Sequence, residues 1–159
     1  MDEATRAQIE RACERLVTRY CHLIDHGEAG RVAELFSEDG VWKSPQVTMN
    51  GCEELQQGFG ARQNNTRRMS RHVCNNLLID VQDEDHATGT VYLTLYRHDG
   101  EPGRPFSPTQ APSMIGEYRD RFVRTEDGWR FAFREIDASF VARPPEAEGA
   151  SAKKGRARD

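Results

Sequence analysis

The sequence has no long apolar run and no excess of basic residues, and each absence excludes a class of protein. No apolar stretch approaches the roughly 18 residues that a membrane-spanning helix needs. The net charge is −4, with 22 Lys and Arg against 26 Asp and Glu. Nucleic-acid binding is therefore not expected, because it needs a basic stripe. The opening segment, MDEATRAQIERACERL, contains no apolar core of the kind found in a signal peptide, so we expect a cytoplasmic protein.

Metal-binding patterns are also scarce. None of the four cysteines forms a CxxC motif, and the nearest two, Cys13 and Cys21, are eight residues apart. A zinc site of the usual spacing is therefore not expected. We expect the cysteines to be reduced and to serve mainly as packing residues. His22 and His26 have the four-residue spacing of a helical metal site, but no further ligand cluster stands near them. We therefore expect no metal.

Helical periodicity at the start of the chain is followed by strand-like segments. Apolar residues recur every three or four positions over residues 5–26, which predicts an amphipathic helix that ends at Gly27. A short helix is predicted at 28–36, a turn at 37–40, and a weaker helix at 52–63. The predicted strands cover, in chain order, residues 41–42, 47–49, 70–82, 87–98, 113–124 and 129–141.

This order, helices first and strands later, indicates the α+β class. An antiparallel sheet of this length twists and curls, and the apolar stripe of the first helix is expected to lie in its concave side. We therefore predict a cone-shaped curved antiparallel sheet wrapped around N-terminal helices, with a hollow at its open end. One domain is expected over residues 1–141, followed by a flexible polar tail at 142–159. The proline-rich loop at 100–112 has the length of a functional lid.

Two side chains are candidates for acid/base chemistry. The dipole at a helix C-terminus disfavours a carboxylate, so Asp25 either faces solvent or is retained for a function. Asp25 falls at the border of the inward stripe, five residues after Tyr20, from where it could point to the mouth of the hollow. His72 shares a strand face with Cys74 and Asn76, which suggests a polar pocket lining. A partly exposed sheet histidine is the alternative.

Other polar side chains are candidates for substrate binding. Tyr20 and Tyr118 could donate phenol hydrogen bonds to a substrate oxygen, although buried tyrosines generally find some partner. His98 ends a predicted strand and could approach the pocket. Arg134 is an isolated positive charge in a largely apolar stretch. It either binds an anionic substrate group or pairs at the surface with an acidic residue beside it.

Two stretches of the chain resemble the SnoaL-like domains of the nuclear-transport-factor-2-like superfamily. The first stretch begins at Tyr20 with YCHLIDHGE and continues with VAELFSEDGVW, which ends at Trp42. The second consists of SRHV, which contains His72, and of the later segments GEYRDRF and DGWRF. The similarity extends over about residues 8–140. It implies the cone-shaped fold, a small-molecule pocket, and a homodimer or homotrimer formed through the outer sheet face.

The resemblance also implies roles for individual residues. The scytalone dehydratase-like lyases, bile acid dehydratases and hexachlorocyclohexane dehydrochlorinases of this superfamily use a His–Asp pair. By this similarity Asp25 and His72 are the catalytic pair, and Tyr20 is the accompanying catalytic tyrosine. The second active-site histidine of scytalone dehydratase would fall near Arg97, one position from His98. The substrate-binding candidates are Asn76, Tyr118, His98, Arg134 and Trp42.

The predicted function is a cofactor-independent acid/base enzyme acting on a small organic molecule of polyketide, steroid or aromatic-like type. Asp25 would fix the tautomer of His72, which would take a proton from a carbon beside a carbonyl. Loss of water would make the enzyme a dehydratase, whereas an isomerase or polyketide cyclase would abstract the proton without losing a group. The non-enzyme alternative is a ligand-binding or assembly module. An Asp25–His72 separation above about 4 Å would favour that alternative.

Overall fold

The computed structural model describes residues 1–101 and 111–142 of the 159-residue chain. Most of the predicted proline-rich loop and all but the first residue of the predicted tail lie outside these residues. Helices α1 and α2 cover Glu3–Asp25 and Gly51–Asn64, and a 3₁₀ helix covers Ala29–Leu35. The strands are β1 Phe36–Lys43, β2 Thr48–Asn50, β3 Arg68–Val81, β4 His86–Asp99, β5 Met114–Thr125 and β6 Gly128–Val141.

Helix α1 has well-defined ends. The Asp2 side chain caps its first turn by accepting a backbone hydrogen bond. At the other end, Gly27 has a φ of +83°, and the amide of Glu28 donates to the carbonyl of Leu23 at 2.8 Å. This is the long bond of a Schellman motif, which ends a helix at a left-handed glycine. It makes Asp25 the last helical residue and fixes its position.

The strands form one six-stranded sheet in the order β2-β1-β6-β5-β4-β3. The sheet is curved and not closed, and the predicted α+β cone is confirmed. It is mixed rather than wholly antiparallel, because β1 runs parallel to β6. A parallel pair needs a long connection between its strands, and here the connection is most of the chain. Helix α1 packs mainly against β3 and also contacts β6.

Two segments before α2 differ from the prediction. The helix predicted at 28–36 is the shorter 3₁₀ helix Ala29–Leu35. The turn predicted at 37–40 is an irregular part of β1: between Phe36 and Val41 this strand advances five positions, while β6 advances two. The extra residues bulge out of the sheet, so a polar sequence typical of turns is accommodated within a strand.

The outer face of the sheet carries exposed apolar side chains. Val73, Tyr92, Tyr96 and Ile115 are each more than a third exposed. Their neighbours in sequence, such as Leu93, point into the core. Self-association through this face stays a prediction. Over the described ranges, no helix is both long and apolar enough to cross a bilayer.

An ion pair lies in the centre of the core. Arg134 on β6 and Asp120 on β5 are directly opposite each other, and both side chains are 0% exposed. Two hydrogen bonds of 2.8 and 2.7 Å join them. The guanidinium also lies 4.3, 4.1 and 4.2 Å from the ring centroids of Tyr20, Tyr118 and Phe131. Arg134 is therefore a core residue. The two roles predicted from the sequence, binding an anionic substrate group and pairing at the surface with an adjacent acidic residue, were both wrong, because its side chain is buried, paired with Asp120 and not part of the pocket lining.

Removing the partner of this buried arginine should destabilise the fold strongly. Asp120→Asn leaves the Arg134 charge unpaired in the core, so we expect the free energy of unfolding to fall by about 3–5 kcal/mol. Urea denaturation monitored by circular dichroism measures this. The matched control is Glu28→Gln, which breaks the exposed Arg31–Glu28 pair and should cost no more than about 1 kcal/mol. Similar losses of unfolding free energy in the two variants would contradict the assignment of Asp120 and Arg134 as a buried ion pair.

Candidate active site

A pocket of about 430 Å³ opens beside the C-terminal half of α1. It is enclosed by both α-helices and by side chains from all six strands. Its walls combine an apolar part with a polar part that contains an imidazole, a hydroxyl group and guanidinium groups. The lining residues used below are Tyr20, Trp42, Arg62, Arg68, Ser70, His72, Leu95, Arg97, Tyr118 and Ile136.

Asp25 and His72 form a closely bonded pair at this pocket. The Nδ1 atom of His72 lies 2.7 Å from Oδ1 of Asp25. The backbone amide of His72 donates to Oδ2 of the same carboxylate, also at 2.7 Å. The side chains are only 10% and 6% exposed. His72 lines the pocket and Asp25 lies behind it, so the imidazole ring separates the carboxylate from the cavity.

Two further polar groups extend this pair. Ser70 donates from Oγ to Oδ1 of Asp25 at 2.7 Å. Arg62 in turn donates from a terminal guanidinium nitrogen to Ser70 Oγ at 3.2 Å. A continuous chain of hydrogen bonds thus runs from Arg62 through Ser70 and Asp25 to His72.

The environment of Asp25 keeps its carboxyl group ionised. Burial by itself raises the pKa of Asp25, but the hydrogen bonds and charge of His72 and the hydroxyl of Ser70 outweigh it and hold the pKa below the ordinary value of 3.8. A carboxylate accepts hydrogen bonds and does not donate them. The Nδ1 atom of neutral His72 must therefore carry the proton, which leaves Nε2 as the unprotonated ring nitrogen.

Tyrosine hydroxyls form another part of the polar wall. Trp42 donates from its indole nitrogen to the hydroxyl of Tyr20 at 2.9 Å, and this contact uses the tyrosine oxygen as an acceptor, not its O–H. Burial is the main cause that raises the pKa of Tyr20 above its usual value, so this hydroxyl stays protonated at neutral pH. The buried hydroxyl of Tyr118 has no hydrogen-bond partner among the residues that the structure describes.

Asn76 does not line the pocket, although strict alternation along β3 placed it with His72. Asn76 is exposed and has a φ of +49°, and the pairing of β3 with β4 shifts by one residue between Asn75 and Leu78. This is a β-bulge, which reverses the facing of the residues that follow it. The prediction of a pocket role for Asn76 was wrong for this reason.

His98 also lies away from the pocket lining. In β4 the buried residues Val91 and Leu93 alternate with exposed Tyr92, and Leu95 and Arg97 continue the inward series into the pocket. His98 belongs to the outward series, so the prediction that it approaches the pocket was wrong. Arg97 occupies the inward position.

Three other lining residues were missed from the sequence. Ser70 stands two positions before His72 and follows from the same alternation that identified the histidine. Arg62 continues the stripe of buried Leu55 and Phe59 in α2 at helical spacing. Because Arg62 is charged, it was not counted with the apolar residues of that stripe. Arg68 lies at the very start of β3, outside the predicted strand.

The structure contains no metal cluster among its described ranges: no group of three or more His, Cys, Asp or Glu side chains is placed to hold an ion. His22 and His26 stack with ring centroids 5.2 Å apart, and Nδ1 of His26 is 2.9 Å from the carbonyl oxygen of His22. One nitrogen of His26 is therefore engaged with the helix backbone.

The curved α+β cone with a pocket at its end is the fold of the nuclear-transport-factor-2-like superfamily. Within it, the family model of the SnoaL-like domain matches residues 5–135. The chain belongs to the SnoaL-like domain family. No functionally curated protein matches the sequence significantly.

Several solved structures have the same fold. A protein of unknown function from Mycobacterium tuberculosis is 25% identical with a TM-score of 0.72, over 89% of this chain and 78% of that one. A protein assigned by name to the scytalone dehydratases, from Novosphingobium aromaticivorans, is 20% identical with a TM-score of 0.73, over 93% and 100% of the two chains. LinA is 16% identical with a TM-score of 0.72, over 94% and 99%. At these identities the last two structures indicate the fold alone.

The lowered pKa of Asp25 predicts that the free energy of unfolding depends on pH in the acidic range. A carboxyl group whose pKa is lower in the folded state stabilises the protein above its unfolded pKa, near 3.8, and loses that contribution as pH falls through the folded value. We expect Asp25→Asn to be less stable than the wild type at pH 6, and the difference to narrow below pH ~3.8. Urea titrations across this pH range measure the difference.

The control for this titration is Asp127→Asn in the exposed turn between β5 and β6. Its unfolding free energy should stay within about 0.5 kcal/mol of the wild type. If the difference in unfolding free energy between wild type and Asp25→Asn stayed constant down to pH ~2.5, the prediction that the ionised, hydrogen-bonded Asp25 stabilises the fold would be wrong.

Proposed function

We propose that the protein is a cofactor-independent acid/base enzyme that removes a proton from a carbon beside a carbonyl group of a small organic molecule. The observation that carries this proposal is the 2.7 Å contact between Asp25 and Nδ1 of His72 at the wall of a 430 Å³ pocket. Such a base must be oriented, partly shielded from water and open to substrate on one side. Two structures of the same fold carry the names of a scytalone dehydratase and of LinA, which agrees with this class of activity.

In this mechanism Asp25 orients the base and His72 performs the proton transfer. The carboxylate holds the Nδ1 proton, so Nε2 faces the substrate as an acceptor. When Nε2 takes the proton, the imidazolium forms next to an ionised carboxylate that stabilises it. A positioned base of this kind contributes about 10²–10⁴-fold to the rate.

The negative charge that leaves the carbon moves to the carbonyl oxygen. Tyr20 is the proposed donor to that oxygen, because its hydroxyl is protonated and already accepts a hydrogen bond from Trp42. Tyr118 would orient the substrate with its unpartnered hydroxyl. Hydrogen-bond donors aimed at a developing oxyanion are among the larger catalytic contributions.

Loss of water is the proposed outcome. The electron pair of the broken C–H bond forms a carbon–carbon double bond as the C–O bond of a β-hydroxyl group breaks. The proton held by His72 then leaves with the hydroxide as water, so the enzyme returns to its initial state. An isomerase or polyketide cyclase would return the proton to another atom of the substrate, and it would lose no group.

A module that only binds ligands is the alternative from a different class. It has no need for an ionised carboxylate bonded to a buried histidine. A separation above about 4 Å would have favoured it, and the observed separation is 2.7 Å. The short contact therefore supports the enzyme.

Replacing the base should abolish carbon-acid chemistry. The test substrate is 2-tetralone, an uncharged ketone with acidic C–H bonds, and proton NMR follows the exchange of these hydrogens in deuterated buffer. Wild-type protein should accelerate exchange over buffer. His72→Ala should lower the enzymatic rate by about 10²–10⁴-fold, and Asp25→Asn should lower it as well.

The matched control is His86→Ala, since His86 forms an exposed pair with Asp83 at 2.9 Å outside this pocket. That variant should exchange 2-tetralone at the wild-type rate. Equal rates for wild type and His72→Ala would refute the assignment of His72 as the base.

The dehydratase is separated from the isomerase and cyclase by the mass of the product. Incubation with a panel of cyclic and aromatic β-hydroxy ketones should give a product lighter by one water, detected by mass spectrometry, and His72→Ala should give none above background. A rearranged product of unchanged mass would favour the isomerase or cyclase.

A further inference from the structure

The charged side chains at the pocket wall are nearly all of one sign. Among the lining residues within the described ranges there are three arginines, Arg62, Arg68 and Arg97, and no aspartate or glutamate. Asp25 is hidden behind His72 and is already bonded to it. The charged side chains that line the described part of the pocket are therefore all positive.

Of these arginines, Arg68 is held by a carboxylate. Its guanidinium makes two parallel bonds of 2.7 Å to Asp99, which is the paired geometry that satisfies both groups. Arg62 differs, because it forms no ion pair with any residue that the structure describes. Within the part of the chain that the structure describes, its guanidinium makes one hydrogen bond, the 3.2 Å contact with Ser70, whereas a guanidinium has five N–H donors.

The position of Arg62 in α2 is unusual for an arginine. Leu55 and Phe59 are 0% and 5% exposed, and Arg62 follows them at a helical spacing of four and three. This stripe faces the cone, so apolar residues are expected along it. The side chain of Arg62, at the end of the stripe, is partly buried and lines the cavity.

The surroundings disfavour this charge. Burial is the largest cause that lowers the pKa of Arg62 from its usual value, and the like charge of Arg68 is the next. The charges of Asp25 and Asp99 act in the opposite direction but do not cancel the lowering. Removing a charge from water is costly unless a partner of opposite sign compensates. An anion in the pocket would supply that partner.

We propose that Arg62 binds an oxyanion group of the substrate, a carboxylate or a phosphate, beside the carbon that His72 deprotonates. This inference rests on the proposed function and adds the class of substrate: a small carbonyl compound that carries an anionic group. Arg62 is connected to the His72–Asp25 pair through Ser70 by bonds of 3.2 and 2.7 Å. The anionic group would thus lie on the same wall as the base and would fix which C–H bond faces Nε2.

The test compares three ligands that share the naphthalene ring and differ in charge: 1-naphthoate, 1-naphthyl phosphate and the uncharged 1-naphthamide, which is close in shape to 1-naphthoate. Dissociation constants come from isothermal titration calorimetry at low salt. Wild-type protein should bind at least one of the two anions about tenfold or more tightly than 1-naphthamide, as expected for a hydrogen bond to a charged group. The preferred anion distinguishes a carboxylate-bearing substrate from a phosphate-bearing one.

Arg62→Gln should remove this preference for anions while 1-naphthamide binding remains, which also shows that the variant is folded. Arg62→Lys keeps the charge and should retain part of the preference. The control variant is Arg124→Gln, which removes an exposed arginine that does not line the pocket. It should keep the preference.

Wild-type protein that binds all three ligands equally would overturn the proposal, and so would a preference that survives in Arg62→Gln. The binding assay needs no proton transfer, and the 2-tetralone assay needs no anion. Failure of the anion site is therefore distinguishable from failure of the proposed function.

Discussion

The hydrogen bonds of the Asp25 carboxylate join the end of α1 to the edge strand β3, and the geometry of the pocket depends on them. A carboxylate at a helix C-terminus is disfavoured by about 0.3–1 kcal/mol. Ser70 and the two donors of His72 offset this, since a hydrogen bond to a charged group contributes about 1.5–3 kcal/mol. One of these donors is a backbone amide, so the strand itself is fixed to the helix. The interaction that orients the histidine also holds together the wall on which it stands.

The pairing of Asp25 with His72 was predictable because each residue follows a local rule. Helical spacing placed Asp25 at the border of the inward face, and period-two alternation placed His72 inward, while the family resemblance related the two. The same alternation failed at Asn76, where one extra residue in β3 reverses the facing. It was misapplied at His98, whose neighbour Arg97 faces the pocket instead. A bulge depends on the partner strand, which a single sequence does not reveal.

The core pair shows a second limit of local reasoning. From the sequence, the only ion-pair partners considered for Arg134 within the protein were the acidic residues beside it, because those are the neighbours that a sequence displays. Its actual partner, Asp120, is fourteen positions away and faces it across the β5–β6 ladder. Antiparallel register decides such pairs, and register follows from the turn at 125–128 and from the irregular pairing along the strands. The class of fold was therefore within reach of the sequence, and the identity of buried polar partners was not.

The distribution of polarity in the pocket constrains what can bind there. His72 and Arg62 lie on the wall formed by β3 and α2, whereas Leu95 and Ile136 provide apolar surface from the sheet. The negative charge of Asp25 lies behind the ring of His72 and is bonded to it. A ligand at this wall therefore meets the guanidinium of Arg62 and the imidazole ring of His72. In the proposed mechanism, proton abstraction would convert the imidazole to a cation and the substrate to an enolate, so negative charge would develop next to the guanidinium of Arg62, which is already in place. The proposed substrate, a carbon acid with an apolar part and an anionic group, would satisfy both walls.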